Sequence, residues 1–488
     1  MKYFLRFIQR YMALLALAFL AGLFVPAAAP AWEPPDPKTY LMNYAELEKT
    51  KAYYDDPRSL MEGKYSLKSI LPKELYEKLV FPMDEMKKEW AGIVGFKAPD
   101  VVGKKAPEVK PGKYTYKDLE KYPGFKELFG TVLGSRLKPG GPPFAGNVAE
   151  FEIVPTVQWY HSLPVSKATK ENSSKIKVDS KGYLTPTSWE GGYPFPRPSG
   201  PHKALQIMYN VEKRYLSWDG SFVLFNRYKG YRKDLSEDYD GGGQVRHLKL
   251  GGRLALEPYG WLDERAKKRG EIKTFVMDFL KPRDSVGTAM SALYYLDSNK
   301  ADQLMAYVPQ LRRVRMLSSS DSQDPVQGQD LIYDDSEGFL QKLSPTIYPY
   351  EWKVLEETEL LLQVFDGTEY VTKKGLEMRN VKFMRRPVYV IEGRQLDKNY
   401  VYSKRVFIVD RENFLFYEIS NYDQKGRLYR TFQGGYEFEP DMGVFHLGGV
   451  LNLMKDHVDL HSNIVWQYQI PAFWGRKGVS LEQYMGAK

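Results

Sequence analysis

The stretch Tyr294–Leu317, YYLDSNKADQLMAYVPQLRRVRML, decides the fold of this chain. Two apolar, aromatic-rich runs flank the tetrapeptide Asp-Ser-Asn-Lys, whose residues favour tight turns, so the stretch predicts a β-hairpin. The second run ends in a basic cluster, Arg312, Arg313 and Arg315. We predict that this strand leaves the sheet at its rim, which would place the arginines at a cavity mouth or an outer edge.

Similar runs recur along the chain and predict a protein rich in strands. Aromatic residues favour pleated, half-buried surfaces, and the chain contains 36 Tyr with 14% aromatic residues overall. Most candidate strands are joined by short turns, which predicts an antiparallel meander. The candidate strands are 221–228, 244–250, 272–280, 292–296, 303–308, 350–365, 387–396, 403–410, 414–422 and 427–432.

One helix is expected to cover this sheet. Residues 203–216 place Leu205, Met208 and Val211 on a single apolar face, which we expect to pack on the concave side of the sheet. We therefore predict a mainly β fold with packed helices, of the α+β class. Its centre is one large curved antiparallel sheet or half-barrel.

The N-terminus has the features of an export signal. Residues 1–31 combine a basic start, the apolar stretch Tyr11–Val25 and a run of small residues that ends at Ala31, which predicts a signal peptide cleaved after Ala31. An uncleaved membrane anchor is the alternative, although the apolar stretch is shorter than the roughly 20 residues of a membrane span. With no cysteine in the sequence, no lipoprotein anchor is expected at the mature N-terminus. We predict a periplasmic protein, which could associate peripherally with the outer membrane.

The mature chain divides into two predicted regions. Residues 32–140 carry amphipathic segments separated by a linker rich in Pro, Gly and Lys, and predict a region of helices and loops. From residue 141 to residue 488 the pattern predicts the sheet domain.

Charge and motifs argue against several classes of function. The net charge of +9 includes three basic residues of the signal, so the remaining charge is mild and does not favour nucleic-acid binding. Signatures of serine hydrolases, zinc proteases, phosphate loops and dinucleotide folds do not occur, and a cysteine nucleophile is impossible. We predict that the protein is not an enzyme and has no cofactor. A carboxylate pair assembled by the fold stays open, because no sequence spacing would reveal it.

Two stretches invite a metal interpretation. His457, Asp459 and His461 alternate, so on a strand they would share one face and could bind a divalent metal. A fourth ligand is not evident, and we favour a polar strand face with no metal. The acidic stretch Asp234–Gly243 lacks the spacing of a calcium-binding EF-hand loop, so we interpret it as a hairpin connection.

Several separated motifs resemble one bacterial family. They are GGYPFPRP (191–198), YVPQLRRVRML (307–317), YEWKVLEETELLL (350–362) and YSKRVFIVDRENFLFYEISNYDQKGRLYR (402–430). Together, from about residue 140 to about residue 470, the chain is similar to family 1329 of the domains of unknown function. Members of that family resemble accessory components that are encoded near large efflux-type exporters.

The segment Tyr307–Asp335 also resembles a wider class, the LolA/LolB-like lipoprotein carriers. It contains aromatic-x-Pro-x-x-Arg-Arg followed by Asp-Leu-x-Tyr-x-Asp. The resemblance implies an incomplete β-barrel, with helices that close its concave face around a hydrophobic cavity for acyl chains. It also implies a hydrophobic or lipid ligand, and the family resemblance adds an inner-membrane exporter or an outer-membrane protein as a possible partner.

The arginines are the predicted binding residues. Arginine side chains suit phosphate and carboxylate groups, so Arg312, Arg313 and Arg315, together with Tyr307, are expected to bind a ligand or partner. Two alternatives stay open. The arginines could pair with three nearby carboxylates and fix the loop, or they could protect an edge strand from unwanted pairing. The carboxylates of the first alternative are Asp330, Asp334 and Asp335.

Two functions of different classes follow. The first is an exported carrier or binding protein that takes up a lipid or another hydrophobic molecule. The second is a structural or interaction protein of the cell envelope without a ligand. An open cavity lined by apolar side chains would favour the first, and an interior filled by the protein's own aromatic residues would favour the second.

Overall fold

The structure is a computed structural model. It describes residues 32–41, 46, 49, 66–136, 147–148, 150–234, 236–317, 322–324, 332–339, 341–364, 369–371, 377–447, 450–455 and 461–485. The predicted signal peptide, residues 1–31, lies outside the described residues. Within the described ranges, no helix is both long enough and apolar enough to cross a membrane.

Short helices occur mainly in the first half of the chain. The α-helices are α1 Leu67–Ile70, α2 Lys73–Leu79, α3 Met83–Val94, α4 Ala98–Val101, α5 Asp118–Lys121, α6 Thr131–Arg136, α7 Leu163–Asn172, α8 Lys203–Glu212, α9 Glu264–Arg269 and α10 Glu482–Met485. The 3-10 helices are Pro37–Thr39, Phe125–Leu128, Ser173–Lys175, Pro186–Ser188, Arg283–Ser285, Pro309–Leu311, Tyr333–Gly338 and Arg476–Val479.

Strands form most of the rest. They are β1 Gly112–Thr115, β2 Asn147–Val148, β3 Glu150–Val154, β4 Gly220–Tyr231, β5 Glu237–Lys249, β6 Gly251–Arg253, β7 Gly260–Trp261, β8 Glu271–Lys281, β9 Ala289–Tyr295, β10 Gln303–Val308, β11 Arg313–Leu317, β12 Tyr350–Val364, β13 Glu369–Val371, β14 Glu377–Arg379, β15 Val381–Gln395, β16 Lys404–Asp410, β17 Phe416–Tyr422, β18 Leu428–Gln433, β19 Tyr436–Glu439, β20 Val444–Leu447, β21 Val450–Lys455 and β22 His461–Pro471.

Among the described residues, fifteen strands form one sheet. From one edge, the order is β12, β15, β16, β17, β18, β21, β22, β4, β5, β8, β9, β10 and β11. These neighbours are antiparallel, whereas β3, which carries β1, pairs with the first part of β15 in parallel. No pairing within the described ranges joins β12 to β11, so the sheet is open. The prediction of a mainly β fold on one large antiparallel sheet is confirmed.

Helix α8 covers one face of this sheet, which we call the inner face. Leu205, Met208 and Val211 are buried, as the helical spacing predicted, and they belong to the same core as Ile391 and Phe407 of the sheet. Burial of a large apolar side chain stabilises a fold by about 1.5–3 kcal/mol, so α8 is held on the sheet by hydrophobic packing. The helix ends four residues before the predicted end, at Glu212.

Aromatic side chains fill much of the space between the inner face and the covering segments. Trp159 stacks on Tyr417 with ring centroids 5.7 Å apart, and Phe445 meets Trp159 edge-on at 5.6 Å. Tyr193 packs on Phe414 at 5.4 Å. This part of the interior therefore has the filled core that the second functional interpretation expected.

The connection after the quoted hairpin differs from the prediction. Residues 303–308 do form a strand after the Asp-Ser-Asn-Lys turn, but the chain then turns through Pro309–Leu311 and returns as β11. The strand that carries Arg313 and Arg315 therefore stays in the sheet as its edge strand, and the prediction that it leaves the sheet was wrong. Pro309 explains the turn, since it lacks the N–H that a continuing strand would need.

Candidate ligand cavity

A cavity of about 170 Å³ opens on the inner face. Its floor comes from β4, β5, β8 and β22, and its walls come from the segment after α8, from the loop before β10 and from the segment that precedes β12. The chain after α8 forms a wall because the helix stops at Glu212, which leaves residues 213–218 in an irregular path above the sheet. The lining residues include five cations, Lys213, Arg214, Lys249, Lys273 and Lys342, and two acids, Glu212 and Asp302.

Two lysines on the cavity floor face each other across neighbouring strands. Lys249 of β5 is directly opposite Lys273 of β8. The ammonium of Lys249 lies 3.4 Å from the ring centroid of Tyr215 and donates to the Leu216 carbonyl at 3.1 Å. The ammonium of Lys273 lies 4.8 Å from the ring centroid of Tyr294. Aromatic faces attract cations, so the two rings hold both ammonium groups at the floor.

Tyr215 is fixed in turn by a buried carboxylate. Its hydroxyl donates to Oδ1 of Asp219 at 2.7 Å, and the same carboxylate accepts from the backbone N–H groups of residues 254–256 at 2.7 to 3.1 Å. Burial, and then the negative charge of Asp219, raise the pKa of the Tyr215 hydroxyl. The phenol therefore stays protonated, and its ring is held in place beneath Lys249.

Each acidic residue of the lining contacts a lysine. Oε1 of Glu212 lies 3.2 Å from Nζ of Lys213, and Oδ1 of Asp302 lies 2.8 Å from Nζ of Lys342. Burial raises the pKa of Asp302 and lowers the pKa of Lys342, while their mutual attraction opposes both shifts. By formal charge, the five cations and two acids leave the lining with a positive excess.

Trp218 adds a buried indole to this lining. Its ring is buried and stacks on His446 with centroids 5.6 Å apart. The indole Nε1 has no hydrogen-bond partner among the described residues. A buried donor without a partner costs about 1–3 kcal/mol, so this indole is a local cost to the stability of the fold.

The predicted arginines lie away from this cavity. Arg312 sits in the turn after Pro309–Leu311, and Arg313 and Arg315 follow on the edge strand β11. The register across five successive strand pairs puts Arg313 and Arg315 on the inner face, the face that also carries the cavity floor. At roughly 4.8 Å per strand, β11 lies about 14 Å from Lys273 on β8. The arginines therefore mark the outer edge and do not line the cavity.

Tyr307 is separated from the arginines. It pairs with Val314 and stacks on Tyr484 with ring centroids 5.6 Å apart, under the C-terminal helix α10. This contact lies on the outer face of the sheet. The structure thus brings the arginines together and places the predicted tyrosine on the opposite side.

The carboxylates proposed as alternative partners of the arginines are occupied elsewhere. Oδ1 of Asp335 accepts from Nη2 of Arg405 at 2.7 Å, and Oδ2 of Asp334 accepts from the hydroxyl of Tyr400 at 2.8 Å. Both carboxylates are buried. The interpretation that they fix the arginine loop was therefore wrong for these two, and Asp330 lies outside the described residues.

The alternating triplet is described only in part. Nε2 of His461 lies 3.1 Å from Oδ2 of Asp238, whereas His457 and Asp459 lie outside the described residues. Within the described ranges, no group of three or more His, Cys, Asp or Glu side chains could hold a metal. The acidic stretch is only partly a connection, because residues 237–243 belong to β5 and pair with β4, so the hairpin turn is shorter than predicted.

A family model confirms the sequence resemblance. The model described as "Protein of unknown function (DUF1329)" matches residues 150–471, more than half of the chain. The chain belongs to the DUF1329 family. No curated protein matches the sequence.

Solved structures similar to this DUF1329 protein include another member of the family. A DUF1329 protein from Desulfovibrio piger is 15% identical, with 58% of this chain and 95% of that chain covered and a TM-score of 0.40. A putative outer membrane lipoprotein-sorting protein domain from Vibrio parahaemolyticus is 19% identical, with 58% and 97% covered and a TM-score of 0.39. A LolA superfamily protein from Nitrosomonas europaea is 15% identical, with 57% and 98% covered and a TM-score of 0.35.

The lysine pair of this DUF1329 protein is not predicted by its sequence. Lys249 and Lys273 stand near the ends of two predicted strands, in HLKL and EIKTF. Only the register of β5 against β8 places them opposite each other, and the 21 residues between β5 and β8 include no short hairpin turn that would set that register. The one available signal was a lysine among apolar residues in each strand.

Proposed function

We propose that this protein binds, in the cell envelope, an amphipathic molecule whose anionic group lies between Lys249 and Lys273. The observation that carries the proposal is this cross-strand lysine pair inside a cavity with a positive excess. Like charges directly opposite each other destabilise a sheet. A phosphate or carboxylate between the two ammonium groups would offset that repulsion and accept strong charge-assisted hydrogen bonds.

The rest of the lining supports an apolar part in the same ligand. Leu216, Val223, Ile272, Phe339 and Leu447 all face the cavity beside the lysines. The volume of about 170 Å³ is below the roughly 300–1,000 Å³ of pockets that enclose a drug-sized ligand. The cavity therefore suits a polar head group with the adjoining apolar segment, and not a complete lipid.

The location of this activity rests on the predicted signal peptide. Residues 1–31 predict export, which is the basis for placing the protein in the cell envelope. Transfer of the ligand to or from an exporter is the most specific part of the proposal, and it rests on the family resemblance alone.

A second function, an envelope interaction protein without a ligand, is favoured by one observation. The aromatic packing of Trp159, Tyr417 and Phe445 fills the inner face beside β17. Under this alternative the cavity would hold no anion, and the two lysines would serve only their contacts within the protein, such as those with Tyr215 and Tyr294.

A fluorescent fatty-acid anion and its neutral methyl ester separate the two functions. We expect the wild-type protein to bind the anion more tightly than the ester, and we expect Lys249→Gln with Lys273→Gln to abolish that preference. The matched control is Lys267→Gln with Lys268→Gln, which removes the same charge from exposed positions on α9. Equal affinity of the wild-type protein for both probes, or an unchanged preference in the cavity variant, would contradict the proposal.

A further inference from the structure

The turn between β10 and β11 projects a compact group of exposed side chains. We call Leu311, Arg312, Arg313, Arg315 and Met316 the basic edge. All five are exposed, and the two apolar members are 44% (Leu311) and 60% (Met316) exposed. Because β11 is the last strand of the sheet, no further strand covers this edge among the described residues.

The backbone of the turn directs these side chains outward. The 3-10 helix Pro309–Leu311 ends at Arg312, whose φ of 47° is left-handed. After this reversal, alternation along β11 puts Arg313 and Arg315 on the inner face and Met316 on the outer face. The charged and apolar side chains therefore flank one narrow edge from both sides.

No ion pair connects the three arginines of the basic edge to any described residue. Their guanidinium groups are available to an external anion as far as the described chain is concerned. The neighbouring β8–β9 turn approaches this edge, since a Cβ on Gly287 would lie 3.1 Å from Pro309. That turn adds exposed Arg283 and Val286, and one exposed acid, Asp284.

We propose that the basic edge docks the protein on an anionic bilayer surface. Guanidinium groups bind phosphate oxygens in a bidentate way, and the surface potential of an anionic leaflet attracts clustered basic residues. Leu311 and Met316 can enter the boundary between head groups and acyl chains at the same time. Charge complementarity and apolar contact are thus supplied by the same few residues.

The mixture of side chains favours a bilayer over an acidic protein. An acidic protein surface would be matched by the arginines, but it would leave the exposed Leu311, Met316 and Val286 facing carboxylates. A bilayer matches both chemistries in layers, with phosphates at the surface and hydrocarbon beneath. This inference does not depend on a ligand in the cavity, because the basic edge and the cavity share no residue.

Flotation with vesicles tests the proposal directly. The full chain without its predicted signal is mixed with vesicles of phosphatidylcholine alone or with 30% phosphatidylglycerol, at low and high salt. A basic residue near an anionic membrane strengthens binding by roughly fivefold. We therefore expect Arg312→Gln with Arg313→Gln and Arg315→Gln to weaken binding to the anionic vesicles by roughly 100-fold and to reduce its salt dependence.

Two further variants complete the design. Leu311→Ser with Met316→Ser should weaken binding to the anionic vesicles with little change in salt dependence. The matched control is Lys113→Gln with Lys117→Gln and Lys126→Gln, which removes three exposed charges near β1 and should leave binding unchanged. Unchanged melting temperatures would confirm that the variants are folded.

Several outcomes would overturn the proposal. One is wild-type protein that does not float with anionic vesicles, as expected if the basic edge only prevents strand pairing or binds an acidic protein. Another is equal flotation of the wild-type protein and the arginine variant. A third is equal weakening by the arginine variant and by the control, which would indicate a response to net charge alone.

Discussion

Replacement of Arg386 by Met should destabilise the protein strongly. Arg386 is fully buried on β15, where Nε lies 2.7 Å from Oδ2 of Asp410 and Nη2 lies 2.6 Å from Oε2 of Glu412. Its guanidinium also donates to the Val157 carbonyl at 2.6 Å and lies 3.8 Å from a ring centroid of Trp159. The substitution keeps the apolar volume but leaves two buried carboxylates without their cation.

The expected loss is about 3–5 kcal/mol in the free energy of unfolding, the usual cost of one partner removed from a buried ion pair. Glu412 holds distant segments together, since it accepts the backbone N–H groups of Ala98 at 2.9 Å and Trp159 at 2.8 Å. Burial already raises the pKa of Glu412, and Arg386 opposes that rise. Without Arg386 the pKa of Glu412 rises further, so the loss of stability should shrink as acid protonates that carboxylate.

Urea denaturation at pH 7 and pH 5 measures this effect. The control is Arg394→Met on the same strand, whose guanidinium is largely exposed and pairs with Glu351. Exposed pairs contribute about 0–1 kcal/mol, so this control should remain close to the wild type. A loss below about 1 kcal/mol for Arg386→Met, or one that grows on acidification, would refute the reasoning.

Three further predictions concern other parts of the chain. Met208→Asp should unfold or strongly destabilise the protein, because Met208 is fully buried and even truncation to Ala at such sites costs about 2–5 kcal/mol; wild-type thermal melting of the variant would place α8 in solvent. Burial lowers the pKa of His161 from 6.5 to about 3, so its contribution to stability is complete above pH 6.5 and decreases as the pH falls towards 3, by on the order of 4 kcal/mol. Between pH 7 and pH 4, the free energy of unfolding should therefore depend less on pH in His161→Phe than in the wild type. The same pH dependence in both proteins would contradict the assignment. N-terminal sequencing of envelope-fraction protein should begin at or near Trp32, whereas an intact Met1 in the inner membrane would overturn cleavage.

Alternation and turn chemistry were enough to predict most of the sheet. Strands predicted at 303–308 and 350–365 are β10 and β12 within one residue at each end, because alternating burial and flanking turn residues are local signals. The apolar face of 203–216 likewise predicted the packing of α8, although the irregular end of this segment could not be seen from periodicity. Local patterns thus identified the elements and their buried faces.

Features that depend on register or on distant partners could not be predicted in this way. Asp410 and Glu412 lie in a short turn between two predicted strands, yet both are buried because Arg386 binds their carboxylates. The sequence did not predict β11, because the arginines in this segment interrupt the apolar pattern that indicates a strand. The opposition of Lys249 and Lys273 depends on a register that no short-range signal fixes.

Mass spectrometry of organic extracts tests the central claim most directly. The protein is purified from its envelope fraction without detergent, and the wild type is compared with Lys249→Gln plus Lys273→Gln and with the Lys267→Gln plus Lys268→Gln control. The account predicts a near-stoichiometric amphipathic anion in the wild type and the control, and its loss from the cavity variant. Extracts without such a molecule, or with the same amount of it in all three proteins, would contradict the claim that the lysine pair holds an anionic ligand.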